Sequence, residues 1–222
     1  ATSAMPDLAG PEDLPAASGP LLLDAGFRRL WSTGLIVFLV RWLEILVFGV
    51  FAYQQRGSAF TVASLTMLRL LPLALFGVPL GALAARIRRR VGLIVMLGTL
   101  TAMAAILFLM ASADRLLVWH LGVASCINGF IWAADNPIRR GLVRHIAGLP
   151  RMGSAMALDV GASKASRLAG PGIGGLLLAH SGMPAVFALV TVLYLIALVA
   201  VLRLDERPVP KASAKPSPLD PL

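Results

Sequence analysis

The sequence predicts an all-α membrane protein built as a six-transmembrane-helix bundle. Hydrophobic residues make up 58% of the 222 residues and charged residues only 14%, whereas soluble domains carry roughly 25% charged residues. Long apolar runs recur along the chain, each close to the roughly 20 residues that a helix needs to cross a bilayer. The runs are rich in Leu and Ala and lack the alternation of a membrane β-barrel, which favours helices.

The apolar runs give six predicted spans, at residues 31–53, 59–84, 91–111, 116–135, 157–180 and 184–203. Because backbone N–H and C=O groups find no water in the bilayer core, each span is predicted to be a helix. The bundle then occupies residues 27–205. A disordered cytoplasmic tail over 1–26 is predicted before it, and a Pro/Ser/Lys-rich cytoplasmic linker over 206–222 after it.

Basic residues set the predicted orientation, since short cytoplasmic loops collect positive charge. Most of them fall on one side, before span 1 or after spans 2, 4 and 6: Arg28, Arg29, Arg86, Arg88, Arg89, Arg90, Arg139, Arg140, Arg144, Arg151, Arg203, Arg207, Lys211 and Lys215. The opposite side carries Arg56 and Arg115, so both termini are predicted to be cytoplasmic. The formal charge of +9 is spread between apolar runs, which points to membrane lipid as a partner and excludes nucleic acid.

No catalytic centre, cofactor or metal site is predicted. The single cysteine, Cys126, lies within an apolar run and offers neither a disulfide framework nor a metal cluster. There is no phosphate-binding loop. A six-helix intramembrane protease would need a serine and a histidine that meet at membrane depth. Here Ser154 falls in a basic loop, while His120 and His180 fall near the opposite face.

Charged residues inside predicted spans are functional candidates, because a charge at the bilayer centre costs roughly 2.5–3.5 kcal/mol. Arg41 and Glu44 lie three residues apart in span 1 and can pair on one helix face. They form either a structural ion pair or part of a central cavity, with Glu44 as a proton or cation carrier and Arg41 as a substrate-facing charge. Arg69 in span 2 is then a surplus positive charge, unless it pairs with an unmatched residue, and it favours an anionic substrate. Asn128 in span 4 joins the candidate cavity.

Small residues dominate span 5, around the stretch SRLAGPGIGG at 166–175. Two neighbouring ridges at i, i+4 spacing carry them, one with Ala162, Ser166, Gly170 and Gly174 and the other with Ala157, Gly161, Ala165 and Ala169. Helices in lipid approach closely through such residues, and Pro171 invites a bend. The covering helix belongs either to the same bundle or to a part outside it.

Four stretches together resemble a known family: FRRLW entering span 1, GSAFTVASLTMLRLLPLALFGVPLGALAARIRRR across span 2, DNPIRRGLV after span 4 and RLAGPGIGG in span 5. In order and spacing they resemble the N-terminal six-helix half of a major facilitator superfamily transporter, in particular bacterial effluxers of the enterobactin-exporter type. The resemblance implies one half of a major-facilitator fold in a bacterial inner membrane, exporting a small molecule by alternating access with ion or proton coupling.

The second six-helix half would be a missing C-terminal half, a separate chain or another copy in a homodimer. A non-transporting scaffold or a truncated transporter remnant is the alternative. The resemblance also implies gating residues on the cytoplasmic side: Gly81, Arg86, Arg90, Asp135, Arg139, Arg140 and Arg167. Two departures stand out, since Ala85 replaces the aspartate that latches the family's cytoplasmic gate, and Ser125 replaces an arginine of drug/proton antiporters.

Asp135 precedes Asn136-Pro137 and is predicted to end its helix, because proline biases the preceding residue away from helix. It is then either a solvated loop charge or a gate group facing Arg139 or Arg140. The resemblance further assigns Gly170, Pro171, Gly174 and Gly175 to a packing motif that contacts the second half in the family.

Overall fold

The computed structural model describes residues 21–86 and 88–203, and all regular structure within them is helical. A 3₁₀ turn at Leu21–Leu23 precedes four helices, α1 (Ala25–Arg56), α2 (Ala59–Arg86), α3 (Arg89–Ser112) and α4 (Val118–Leu202). Four stretches are long and apolar enough to cross a membrane: Ala25–Arg56, Ala59–Leu83, Arg90–Ser112 and Arg151–Leu202. The all-α membrane prediction is confirmed. Most of the predicted tail and all of the predicted linker lie outside the described residues.

Helix α1 packs against α2 and along α4. It begins earlier than predicted because the Asp24 carboxylate caps it, accepting a hydrogen bond from the Gly26 amide at 2.8 Å. It ends at Gly57, which adopts the left-handed conformation with φ 62°. Half of its most apolar window is buried inside the bundle, against 17% for α2. The outer face of α2 accordingly exposes large apolar side chains such as Phe76 and Val78.

The backbone of α4 is helical throughout, but α4 first runs along α1 in one direction and then returns along it in the other. Asn128 contacts Glu44 in the middle of α1, while Leu158, further along α4, accepts a hydrogen bond from Trp31 near the start of α1 at 3.1 Å. Asp135, seven residues after Asn128, pairs with Arg41, which precedes Glu44. Residues 118–143, which we name segment α4a, therefore run antiparallel to α1. The predicted helix end at Asp135 is wrong. The helix continues through Pro137 because an ion pair between Asp135 and Arg139 spans the proline.

The rest of α4 returns along α1 and then reverses again. Segment α4b, residues 151–181, rises from Leu158 to Gly174, which packs beside Leu43 and Val47. Gly182 then adopts φ 72°, a conformation that glycine takes without steric cost. Segment α4c, residues 183–202, descends from Phe187, whose ring lies 6.1 Å from that of Phe48.

Two arginines fix the end of α4c to the starts of α1 and α3. Arg29 donates a hydrogen bond to the Arg203 carbonyl, and Arg90 donates one to the Leu202 carbonyl, both at 2.6 Å. These carbonyls are otherwise unpaired at a helix C-terminus, where the helix dipole also favours positive charge. The beginning of α1, the beginning of α3 and the end of α4c therefore meet at one end of the bundle.

Candidate functional site

Charged side chains are buried together between α1, α2 and α4a. We name this set the ionic cluster, and each member is at most 7% exposed: Arg41, Glu44, Arg69, Asn128, Asp135 and Arg139. Burying an unpaired charge is expensive, so the pairing within the cluster determines whether these helices can pack.

Glu44 lies at the centre of one half of the cluster. Its Oε2 atom is 3.6 Å from Nη2 of Arg69 and accepts a hydrogen bond from Nδ2 of Asn128 at 3.2 Å. Arg69 also donates from Nη1 to the Arg41 carbonyl at 3.3 Å. The predicted pair of Arg41 with Glu44 is therefore wrong, because each finds its partner on a neighbouring helix. The sequence left Arg69 without an identified partner, and the structure shows that this partner is Glu44.

Asp135 forms the other half of the cluster by bridging two arginines. Its Oδ2 lies 3.2 Å from Nη2 of Arg41, and its Oδ1 lies 2.9 Å from Nη2 of Arg139. The interpretation of Asp135 as a solvated loop charge is wrong, since its side chain is 1% exposed. The pairing with Arg139 was one of the predicted alternatives, and the i, i+4 spacing was its signal.

Gly129 brings α4a directly against α2 at this site. A Cβ at this position would collide with the Arg69 carbonyl and lie 3.1 Å from Cδ of Pro72. Because no side chain separates the two helices here, Asn128 and Arg69 can both reach Oε2 of Glu44.

A cavity of about 200 Å³ lies beside the ionic cluster, between α1, α2 and α4a. Its wall is mostly apolar and includes the rings of Trp42, Phe48 and Trp132, with polar groups from Thr66, Arg69 and Ser125. Arg69 is the one charged residue among the described residues that line it. Arg41, Glu44 and Asn128 were predicted as cavity residues, but none of the three lines this cavity.

Each aromatic ring of the cavity wall has an arginine against it. The guanidinium carbon lies 4.7 Å from the Trp132 ring centroid for Arg41, 4.8 Å from that of Trp42 for Arg167, and 5.4 Å from that of Phe48 for Arg69. Such cation–π contacts stabilise buried arginines. Sequence reasoning missed the two tryptophans. The signal for Trp42 was its position in the middle of predicted span 1, whereas membrane tryptophans concentrate at the interfaces. Trp132, near the end of predicted span 4, gave no such signal.

Residues 30–221 match the sequence profile of the Major Facilitator Superfamily. The chain belongs to the major facilitator superfamily. Members of this superfamily are membrane transporters and are generally not enzymes. No curated protein and no solved structure matches the chain, so the resemblance to effluxers of the enterobactin-exporter type stays a prediction. Within the described part of this facilitator, no group of His, Cys, Asp and Glu side chains is arranged to hold a metal ion.

The predicted gating residues of the facilitator do not converge on one site. Arg90 binds the end of α4c, Arg140 is exposed on α4a, and Arg167 lies on α4b over Trp42. A Cβ at Gly81 would meet nothing within 4 Å. The side chain of Arg86 lies outside the described residues. Asp135 and Arg139 are joined instead within the ionic cluster.

The small-residue motif of α4b packs against α1 of the same chain. A Cβ at Gly170 would lie 2.7 Å from the Leu39 carbonyl, and one at Gly174 would lie 2.9 Å from Cγ of Leu43. A Cβ at Gly175 would lie 3.3 Å from Cδ2 of Leu46, and Pro171 between them is half-buried. The contact with a second half that the resemblance implied for Gly170 and Gly174 is therefore wrong. Both are covered by α1, the alternative within the same bundle.

Proposed function

We propose that this facilitator is one six-helix half of a secondary transporter that exports a small anionic molecule across a bacterial inner membrane. Arg69 carries the proposal because its guanidinium belongs to both the ionic cluster and the cavity wall. A buried charge of this kind is costly in a membrane. Glu44 offsets this charge at 3.6 Å, but Nη2 of Arg69 has no hydrogen-bond partner among the described residues, and an anionic ligand would supply one.

Six membrane crossings are supported by the length and contacts of α4. The apolar stretch Arg151–Leu202 has 52 residues, which as one straight helix would extend about 78 Å, more than twice a bilayer core of about 30 Å. The reversals after α4a and at Gly182 divide α4 into three lengths that each suit one crossing. The proximity of Arg29, Arg90 and Arg203 supports placing both ends of the bundle on the arginine-rich, cytoplasmic side.

Alternating access requires a second half that moves against this one around the substrate. The exposed side of α4b supports its presence, since Gly161, Ala165 and Ala169 present small residues that nothing in the described chain covers. The second half is a C-terminal half, a separate chain or a second copy of this chain.

Coupling to a proton or cation gradient, as in an antiporter, is proposed to involve Glu44. Its Oε1 atom is buried and has no hydrogen-bond partner among the described residues. An acceptor without a donor is costly inside a protein, so it favours a site that a proton or cation visits. Ser125 cannot replace the arginine that drug/proton antiporters carry at the matching place.

A non-transporting scaffold is the second candidate. The pairing of Asp135 with both Arg41 and Arg139 favours it, because a satisfied ionic bridge can serve only to hold α1 against α4a. In that case the cavity would have no ligand and Arg69 no role beyond pairing with Glu44.

Transport by everted membrane vesicles tests the proposal. Vesicles from cells producing the protein are energised and given one of three probes. Benzenesulfonate and cyclohexanesulfonate are permanently charged anions that do not diffuse through lipid, and trimethylphenylammonium is a cation. We expect protein-dependent uptake of at least one sulfonate and little uptake of the cation. Loss of one charge-assisted hydrogen bond in Arg69→Ala is expected to reduce this uptake about tenfold or more.

Arg115→Ala is the matched control, because Arg115 is exposed in the loop before α4 and its removal should leave uptake unchanged. Equal sulfonate uptake by Arg69→Ala and the unmodified protein would contradict the role of Arg69. Folded protein that moves none of the three probes would favour the scaffold.

A further inference from the structure

We infer that the cavity lined by Trp42, Trp132 and Arg69 binds aromatic monocarboxylates that contain a single ring. This inference rests on the proposed transport function and names the substrate class of the same site. Three observations carry it: the volume of the cavity, the single charged group in its wall, and the rings that surround that group.

The volume restricts the ligand to a small molecule. About 200 Å³ is smaller than the roughly 300–1,000 Å³ of pockets for drug-sized ligands. One ring with a short acidic substituent fits this space. The cavity is partly open, so a larger ligand would extend beyond it.

The charge restricts the ligand to one anionic group. Arg69 is 4% exposed, and its Nη2 atom has no hydrogen-bond partner among the described residues, although Glu44 lies 3.6 Å away. A carboxylate is the natural acceptor for a buried guanidinium, since charge-assisted bonds of this type are short and strong. No second charged residue lines the described wall, so a dicarboxylate would leave one buried charge unpaired.

The surrounding rings select an aromatic ligand over an aliphatic one. Trp42, Phe48 and Trp132 line the cavity, and each has an arginine on one side. Aromatic pairs gain a geometry-dependent attraction beyond the burial of apolar area. Glu44 and Asp135 offset part of the arginine charge, but the ionic cluster holds three arginines against two carboxylates, and Arg167 adds a further positive charge. The net charge of these groups is therefore positive, which favours both the carboxylate and the negative face of the ligand ring.

Equilibrium binding to the full-length protein in lipid nanodiscs tests the inference, with four radiolabelled probes that separate ring from charge. Benzoate has both features, cyclohexanecarboxylate lacks the aromatic ring, benzyl alcohol lacks the charge, and benzylammonium reverses it. We expect benzoate to bind at least about fivefold more tightly than cyclohexanecarboxylate and at least about tenfold more tightly than the other two.

Two variants assign the binding to this cavity. Glu44→Gln combined with Arg69→Gln removes the pair without leaving an unpaired charge, and it should remove the preference for benzoate over benzyl alcohol. Trp132→Leu should remove the preference for benzoate over cyclohexanecarboxylate. Trp119→Leu is the matched control, because Trp119 is 62% exposed and its loss should change neither preference. Circular dichroism and elution volume confirm that each variant folds.

Equal binding of benzoate and cyclohexanecarboxylate by the unmodified protein would overturn the aromatic class, and so would unchanged preferences in both cavity variants. Protein-dependent uptake of cyclohexanesulfonate by the vesicles would then leave the transport proposal standing. Conversely, benzoate binding with the expected preferences, but no uptake of any probe by vesicles, would contradict transport while the ligand class holds.

Discussion

The two ridges of α4b are alike in composition and opposite in environment. The first ridge is buried against α1 and the second is exposed, although small residues occupy both: Ala162, Ser166, Gly170 and Gly174 on the first, and Ala157, Gly161, Ala165 and Ala169 on the second. We name them the covered ridge and the open ridge. Small residues therefore permit the close approach of helices, but they do not determine which helix approaches.

The choice depends on residues elsewhere in the bundle. Helix α1 is held against α4a and α2 by the pairs that Arg41 and Glu44 make. It is also tied to α4b by hydrogen bonds from Trp31 to the Leu158 carbonyl and from Ser166 to the Leu35 carbonyl. Because the bond from Ser166 is long, the bond from Trp31 is the main contact of the two that sets the rotation of α4b, so one ridge meets α1 and the other faces outwards.

The largest expected difference between the ridges comes from the same substitution at Gly170 and Gly161. A Cβ at Gly170 would lie 2.7 Å from the Leu39 carbonyl and 3.0 Å from the Leu43 amide, backbone atoms that cannot move aside. Gly170→Ala should therefore lower the free energy of unfolding by about 2–3 kcal/mol. Gly161→Ala meets nothing within 4 Å and should raise it by about 0.5–1 kcal/mol through helix propensity.

Reversible unfolding in mixed micelles, followed by circular dichroism, measures both values. Equal effects of the two substitutions would mean that the covered ridge is not packed as described.

A smaller difference is expected at Gly174 and Gly172. A Cβ at Gly174 would lie 2.9 Å from Cγ of Leu43 and 3.2 Å from Cγ2 of Val47. Because side chains can partly adjust, Gly174→Ala should cost about 1–2 kcal/mol, less than Gly170→Ala. The control is Gly172→Ala on the open side, where nothing lies within 4 Å. A cost at Gly174 above that at Gly170 would contradict the assignment of backbone contact to Gly170.

The smallest difference is expected at Ser166. Its hydroxyl donates to the Leu35 carbonyl at 3.5 Å, a long bond, so Ser166→Ala should change the free energy of unfolding by no more than about 0.5 kcal/mol. The same unfolding assay measures it beside Ser154→Ala, where the serine is exposed. A cost of several kcal/mol would indicate that Ser166, rather than the glycines, holds α4b on α1.

The sequence predicts the helical membrane fold well because burial of apolar runs in lipid is a local property of composition. The runs of spans 1 to 3 correspond to α1, α2 and α3. Spans 4 to 6 fall within α4, whose reversals rest on non-local contacts such as Trp31 with Leu158. Pro137 misled the prediction of a helix end. The rule behind that prediction considers only a proline and the residue before it, and not the ion pair between Asp135 and Arg139 that spans the proline.

The candidate site was only partly predictable for a related reason. Arg41, Glu44 and Arg69 were found because charges are rare inside apolar runs, and all three are buried. Their pairing was not predicted, since the pairing of Glu44 with Arg69 depends on which helices become neighbours. The role of Trp42 and Trp132 in the cavity wall likewise follows from the crossing of α1, α2 and α4a, which no local pattern specifies.

Access to the cavity from both sides of the membrane is the most direct test of transport by alternating access. Thr66 lines the cavity, and Cys126 is the single cysteine, so Thr66→Cys with Cys126→Ser gives one reporter thiol. We predict that a membrane-impermeant thiol reagent modifies it in both right-side-out and everted vesicles, and that benzenesulfonate slows both reactions. Modification from one side only, with or without the anion, would contradict alternating access.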